Sequence, residues 1–128
     1  MRIFVLEDDP NRMEWFHEKF PDDLVDATDN PIEGAVLLCK HEYDMIFLDN
    51  DLAGPYERGN CGDGVDLAKV MAKYRLHTNI PVFIHSMNLV AADHIEKILK
   101  DAQYYRIIMA PFHELRKLAL VEIRTSAN

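Results

Sequence analysis

Two short apolar runs in this chain stop on carboxylates, and few folds tolerate that pattern. Arg2-Ile3-Phe4-Val5-Leu6 runs into Glu7-Asp8-Asp9, and Met45-Ile46-Phe47-Leu48 runs into Asp49-Asn50-Asp51. Each run has the length and the β-branched or aromatic content of a strand covered on both faces. Anions gathered at a strand end repel one another unless water or a cation separates them. The plainer alternative is solvated turn carboxylates, with Asp9 only capping a helix. Because the pattern occurs at two strand ends, a shared divalent-metal or phosphate site is the favoured reading.

The remaining chain alternates between strand and helix. Asp9-Pro10 reads as an N-cap and first helical residue, with Met13, Phe16 and Phe20 at helical spacing and Pro21 as the stop. Leu24–Thr28 reads as a second strand. Asn30-Pro31 opens a second helix that turns Ala35, Val36, Leu38 and Cys39 partly inward. After a glycine-containing stretch, Val65, Leu67, Ala68 and Met71 mark a third helix ending near Arg75. A fourth strand, Val82-Phe83-Ile84, stops on His85-Ser86-Met87-Asn88. A fourth helix is predicted over 91–100, a fifth strand over 105–109, and one last helix with Leu115, Leu118, Ala119 and Val121 on its apolar side.

This order predicts an α/β domain over residues 1–128, with a parallel sheet covered by helices on both faces. In such a sheet the ligand crevice lies beyond the carboxyl ends of the strands. The acids of the first and third strands would meet His85 and Ser86 there. Successive strand side chains face opposite ways, so only one of His85 and Ser86 reaches the crevice unless the strand has already ended. Ser86 and Asn88 read equally well as loop and helix-cap groups.

Charge narrows the functional classes. Fourteen Lys and Arg face 22 Asp and Glu, a formal charge of -8, which argues against duplex nucleic acid as a partner. A small nucleotide held through a metal remains compatible. Two cysteines make no disulfide framework, and no apolar run approaches the roughly 20 residues of a membrane span, so a cytoplasmic setting without membrane contact is expected. His17, His41, His77, His94 and His113 lack metal-ligand spacing, and Trp15, Tyr56, Tyr104 and Tyr105 do not interleave with basic residues.

Val5-Leu6-Glu7-Asp8-Asp9, Phe47-Leu48-Asp49, Gly62-Asp63-Gly64, Ile80-Pro81-Val82 and Pro111-Phe112 occur in an order and spacing that resembles the receiver domain of two-component response regulators. The resemblance implies a flavodoxin-like doubly wound sheet of order 2-1-3-4-5. It also implies magnesium held by Asp8 with Glu7 or Asp9 nearby, and Asp49 at the phosphoacceptor position. Two receiver features are absent: Ala110 stands where receivers carry a lysine, and Ile107 where they carry the aromatic switch. The loop before Gly64 is longer than is usual in receivers, and its Arg58, reaching back over the pocket, would supply some of the missing charge.

Leu48-Asp49-Asn50-Asp51-Leu52 together with His85-Ser86-Met87-Asn88 resembles a divergent branch, the cyclic-phosphate-processing receiver family. That resemblance implies a possible metal-dependent phosphoesterase. Mg²⁺ or Mn²⁺ would be held among Glu7, Asp8, Asp9, Asp49 and Asp51, with Asp49, His85 and Ser86 as catalytic candidates and Arg58 and Asn88 as substrate contacts. A phosphorylated small molecule, such as a cyclic-phosphate nucleotide, is the expected ligand. The alternatives are a single-domain response regulator phosphorylated on Asp49 that signals to a protein partner, and a pseudo-receiver that only binds proteins.

Overall fold

The computed structural model describes residues 1–52 and 62–126. The five strands are β1 (Arg2–Leu6), β2 (Leu24–Thr28), β3 (Met45–Leu48), β4 (Val82–Ile84) and β5 (Ile107–Met109). All pair in parallel, in the order β2-β1-β3-β4-β5. The helices among the described residues are α1 (Pro10–Lys19), α2 (Pro31–Lys40), α3 (Gly64–Tyr74), α4 (Leu89–Asp101), α5 (Phe112–Leu115) and α6 (Leu120–Ser126). This is the flavodoxin-like doubly wound arrangement.

Strand alternation divides the core into two layers. Phe4, Leu6, Ile46, Leu48, Val82 and Ile84 pack under α2, α3 and α4 with Leu38, Leu67, Met71, Ile95 and Leu99. Ile3, Val5, Met45, Phe47 and Phe83 pack on the other face with Phe16 of α1 and Phe20 at its C-terminal cap, Phe112 and Leu115 of α5, and Ile123 of α6. Each such buried side chain contributes about 1.5–3 kcal/mol from surface removed from water.

Local signals set the helix starts. Asp9 accepts from the amides of Asn11 and Arg12, Asn30 from Ile32 and Glu33, and Asp63 forms a reciprocal capping box with Asp66. Two sequence expectations need correction. In α2, Val36 and Cys39 are exposed, while Gly34 takes an inward position against Phe4. Gly34 lacks the bulk that a hydrophobicity pattern registers. The predicted last helix is two short ones, because Ala119 donates its amide to the Glu122 carboxylate and starts α6 afresh. That restart leaves Val121 exposed and buries Ile123.

Candidate metal and phosphate site

Register builds the site. Leu6, Leu48 and Ile84 are partners across β1, β3 and β4. The ladder continues one residue further: Asp49 donates its amide to Leu6 O at 3.1 Å and His85 to Leu48 O at 3.0 Å. Glu7, Asp49 and His85 therefore stand side by side in one row. By alternation this row lies on the face of Val5, Phe47 and Phe83. All three side chains are buried, and each offers a ligand atom within 4.8 Å of the others.

The row decides which of the predicted acids meet. Glu7, rather than Asp8, is the carboxylate set against Asp49. Asp8 is one residue out of phase, and Asp9 spends its carboxylate on the α1 cap. Asp51 is exposed, and its Oδ1 accepts from the side-chain amides of Asn50 at 2.9 Å and Asn88 at 3.2 Å. Asn88 also caps α4. The same alternation separates His85 from Ser86: His85 joins the acids, whereas the Ser86 hydroxyl accepts from the Asn88 amide at 3.1 Å. Arg58 lies outside the described residues.

The protonation states follow from burial. Glu7 Oε2 accepts from the amides of Asp8 and Asp9, at 3.0 and 3.1 Å. Its carboxyl is nevertheless raised above the usual range, burial outweighing those donors and the Arg12 charge. Burial likewise pushes Asp49 up to about 6, and the neighbouring Glu7 charge adds to the rise. Burial pushes His85 down to about 4, so its imidazole is neutral at pH 7. The neutral ring donates Nε2–H to Glu7 Oε1 at 2.9 Å, and its buried Nδ1 has no hydrogen-bond partner.

Among the described residues, the cation in this site comes from α1. Arg12 Nη1 lies 3.9 Å from Glu7 Oε1 and 4.0 Å from Asp49 Oδ2, while its guanidinium stacks over the Phe112 ring at 5.1 Å. Sequence reasoning passed over Arg12, although one signal was available. A cation in the first turn of a helix opposes the helix dipole, and α1 has no acid in that turn.

Gly64 holds the floor of the site. A Cβ there would sit 2.0 Å from Asp49 O and 2.8 Å from Asn50 Cα. That close approach lets Gly64 N reach Asn50 O at 3.2 Å and Val65 N reach Asn50 Oδ1 at 3.1 Å.

The donor set suits a hard divalent cation. Mg²⁺ and Mn²⁺ favour carboxylate oxygen, which Glu7 and Asp49 supply, and the bond from His85 orients Glu7 from behind. Two neighbouring carboxyls with raised pKa values would ionise more readily beside such an ion.

Solved structures share this architecture. A sensor protein from Polaromonas sp. JS666 superposes with a TM-score of 0.70 at 14% identity, covering 98% of this chain and 94% of that one. The HemR receiver domain of Leptospira biflexa gives 0.69 at 22% identity, covering 99% and 94%. Response regulator TrrA of Thermotoga maritima, solved in complex with Mg²⁺-BeF, gives 0.66 at 18% identity, covering 98% and 97%. The fold is thus that of response-regulator receiver domains. A family model described as the cyclic-phosphate processing receiver domain matches residues 2–101, and the chain belongs to that family. No curated protein matches it in sequence.

Proposed function

We propose that this receiver domain binds a divalent cation at Glu7 and Asp49 and acts on a phosphorylated small molecule carrying a cyclic phosphate, such as a cyclic-phosphate nucleotide. The observation that carries this reading is the buried row Glu7–Asp49–His85 beside the Arg12 guanidinium. When bound, Mg²⁺ or Mn²⁺ would polarise a phosphoryl oxygen or lower the pKa of a bound water. Arg12 supplies the positive charge that attracts and orients the phosphate. Hydrolysis of the cyclic ester adds the oxygen of water to phosphorus, breaks one P–O bond and carries a proton from that water to the departing ribose oxygen. With the cation bound, Glu7 and Asp49 would serve as its ionised ligands, and the proton of the attacking water would reach the ribose oxygen through solvent. His85 acts as a positioning residue, since its Nε2 is committed to Glu7. Asp8 and Asp51, one and two residues from the row, are candidates for solvent-mediated contacts to the ion. A cytoplasmic setting goes with this reading. No helix among the described residues is long and apolar enough to cross a membrane.

Incubation with a 2′,3′-cyclic nucleotide and Mg²⁺ or Mn²⁺ tests the proposal. The expected result is metal-dependent release of a nucleoside monophosphate, reduced at least ~100-fold by Asp49→Asn. A stable beryllofluoride adduct at Asp49 with no turnover would instead support the phosphorylated signalling module.

A further inference from the structure

A cavity adjoins the acidic row at Arg12. It has a volume of about 430 Å³ and lies between α1, the loop leading into α4, and α5, with Arg12, Trp15, Met87, Phe112, His113 and Arg116 among its lining. This is a basic, aromatic pocket on a chain of charge -8. Its one carboxylate among the described residues, Asp9, already accepts from two α1 amides. Arg116 is exposed and pairs with no carboxylate among the described residues. Trp15 and Phe112 meet edge to face, with ring centroids 5.3 Å apart, and form an apolar wall.

Arg12 belongs to both places. Its guanidinium faces Glu7 and Asp49, and the same side chain lines the cavity. A ligand whose phosphate sat at Arg12 would extend its remaining body along Trp15. Volumes of about 300–1,000 Å³ are typical of small-ligand sites, and this cavity falls in that range. A planar base offers a π-face to an aromatic wall and is attracted to a guanidinium.

We infer that this cavity is the base-and-sugar subsite of the phosphoesterase site, with Trp15 against the nucleobase, Phe112 backing the Arg12 guanidinium, and Arg116 as a second contact to the ligand's anionic part. The inference rests on the cyclic-phosphate reading and adds to it a preference for nucleotides over simpler cyclic phosphate esters.

Trp15 is the sole tryptophan of the chain, so its emission reports on the cavity directly. The full chain with Mg²⁺ is titrated with 3′-AMP, with ribose 3-phosphate lacking a base, and with inorganic phosphate. The expected result is saturable quenching or shift of Trp15 emission by 3′-AMP, at an affinity at least ~10-fold tighter than for ribose phosphate. Arg116→Ala, a surface change that leaves the core intact, should weaken 3′-AMP about 10-fold. Calorimetry on Trp15→Leu should show weaker 3′-AMP binding and unchanged ribose phosphate binding. Equal affinity for 3′-AMP and ribose phosphate, alongside turnover of cyclic esters, would overturn the subsite and leave the phosphoesterase reading standing. Absence of turnover for every cyclic ester, with no nucleotide response, would overturn both. A Trp15 response to an acidic peptide but not to nucleotide would also overturn it.

Discussion

Two carboxylates on this sheet show how one residue type behaves in opposite ways. Asp26 of β2 accepts from Arg2 Nε at 2.9 Å and from the Tyr43 hydroxyl at 2.8 Å. Burial alone would raise it, but those two donors outweigh burial and hold it below the usual carboxylate range. Tyr43 moves the other way: burial and the neighbouring Asp26 charge both raise its hydroxyl. Asp49 faces another acid, and its nearest guanidinium stands 4.0 Å away, beyond hydrogen-bond reach. Its pKa rises to about 6. The Asp26 cluster is a closed structural network, whereas the Asp49 row is stabilised as an anion only if something joins it. That difference sets the row apart as the candidate site.

The largest effect expected at that site comes from Gly64→Ala. Its Cβ would overlap backbone atoms of Asp49 and Asn50, so α3 must retreat. A loss of about 3 kcal/mol in denaturant unfolding is predicted, together with loss of metal binding. An unchanged midpoint would show that the floor of the site yields more easily than its contacts imply.

Asp49→Asn should act in the opposite direction. Asp49 is raised in the fold from 3.8 to about 6, so the folded state binds the extra proton between those values. Ionised Asp49 therefore costs stability above pH 6, and the cost disappears as pH falls below about 4. With chelator present, the variant should exceed the parent by about 3 kcal/mol at pH 8 and match it near pH 4. His85 contributes with the reverse sign, because its folded value of about 4 lies below the ordinary 6.5. Its neutral form favours folding above pH 6.5, and that advantage is lost as pH falls toward 4. In the parent the two contributions largely cancel between pH 4 and 6, leaving a shallow profile set by Glu7. In the variant the His85 slope stands exposed. A parent that loses several kcal/mol over that window would break the comparison.

The smallest effect belongs to Asp26. Its side chain is 25% exposed, so Asp26→Asn should cost only about 1 kcal/mol at pH 7. The sign is the informative part: neutralising the paired acid should destabilise, while neutralising Asp49 in the Glu7–Asp49–His85 row should stabilise.

Much of the fold was legible in the sequence, because β1, β3 and β4 are apolar runs bounded by clear stops, and Asp9-Pro10 and Asn30-Pro31 each announce a helix. The site was legible in part. The acids at the ends of β1 and β3 were visible, but which acid of Glu7-Asp8-Asp9 meets Asp49 depends on cross-strand register, which no local pattern carries. The alternation argument applied to His85 and Ser86 would have chosen Glu7 had it been extended to β1. Arg12 was missed because attention fell on the vacant lysine position at Ala110 and on Arg58. Gly34 and the break before α6 escaped for a related reason: contacts set them, and the hydrophobic period does not.

The most direct measurement is a calorimetric Mn²⁺ titration of the parent, Glu7→Gln and Asp49→Asn, with Asp26→Asn as the control. A single saturable site in the parent and control, weakened at least ~10-fold in both variants of the row, is the predicted result. Equal Mn²⁺ affinity across all four proteins would contradict the assignment of Glu7 and Asp49 as the ion's ligands, and with it the chemistry proposed for this end of the sheet.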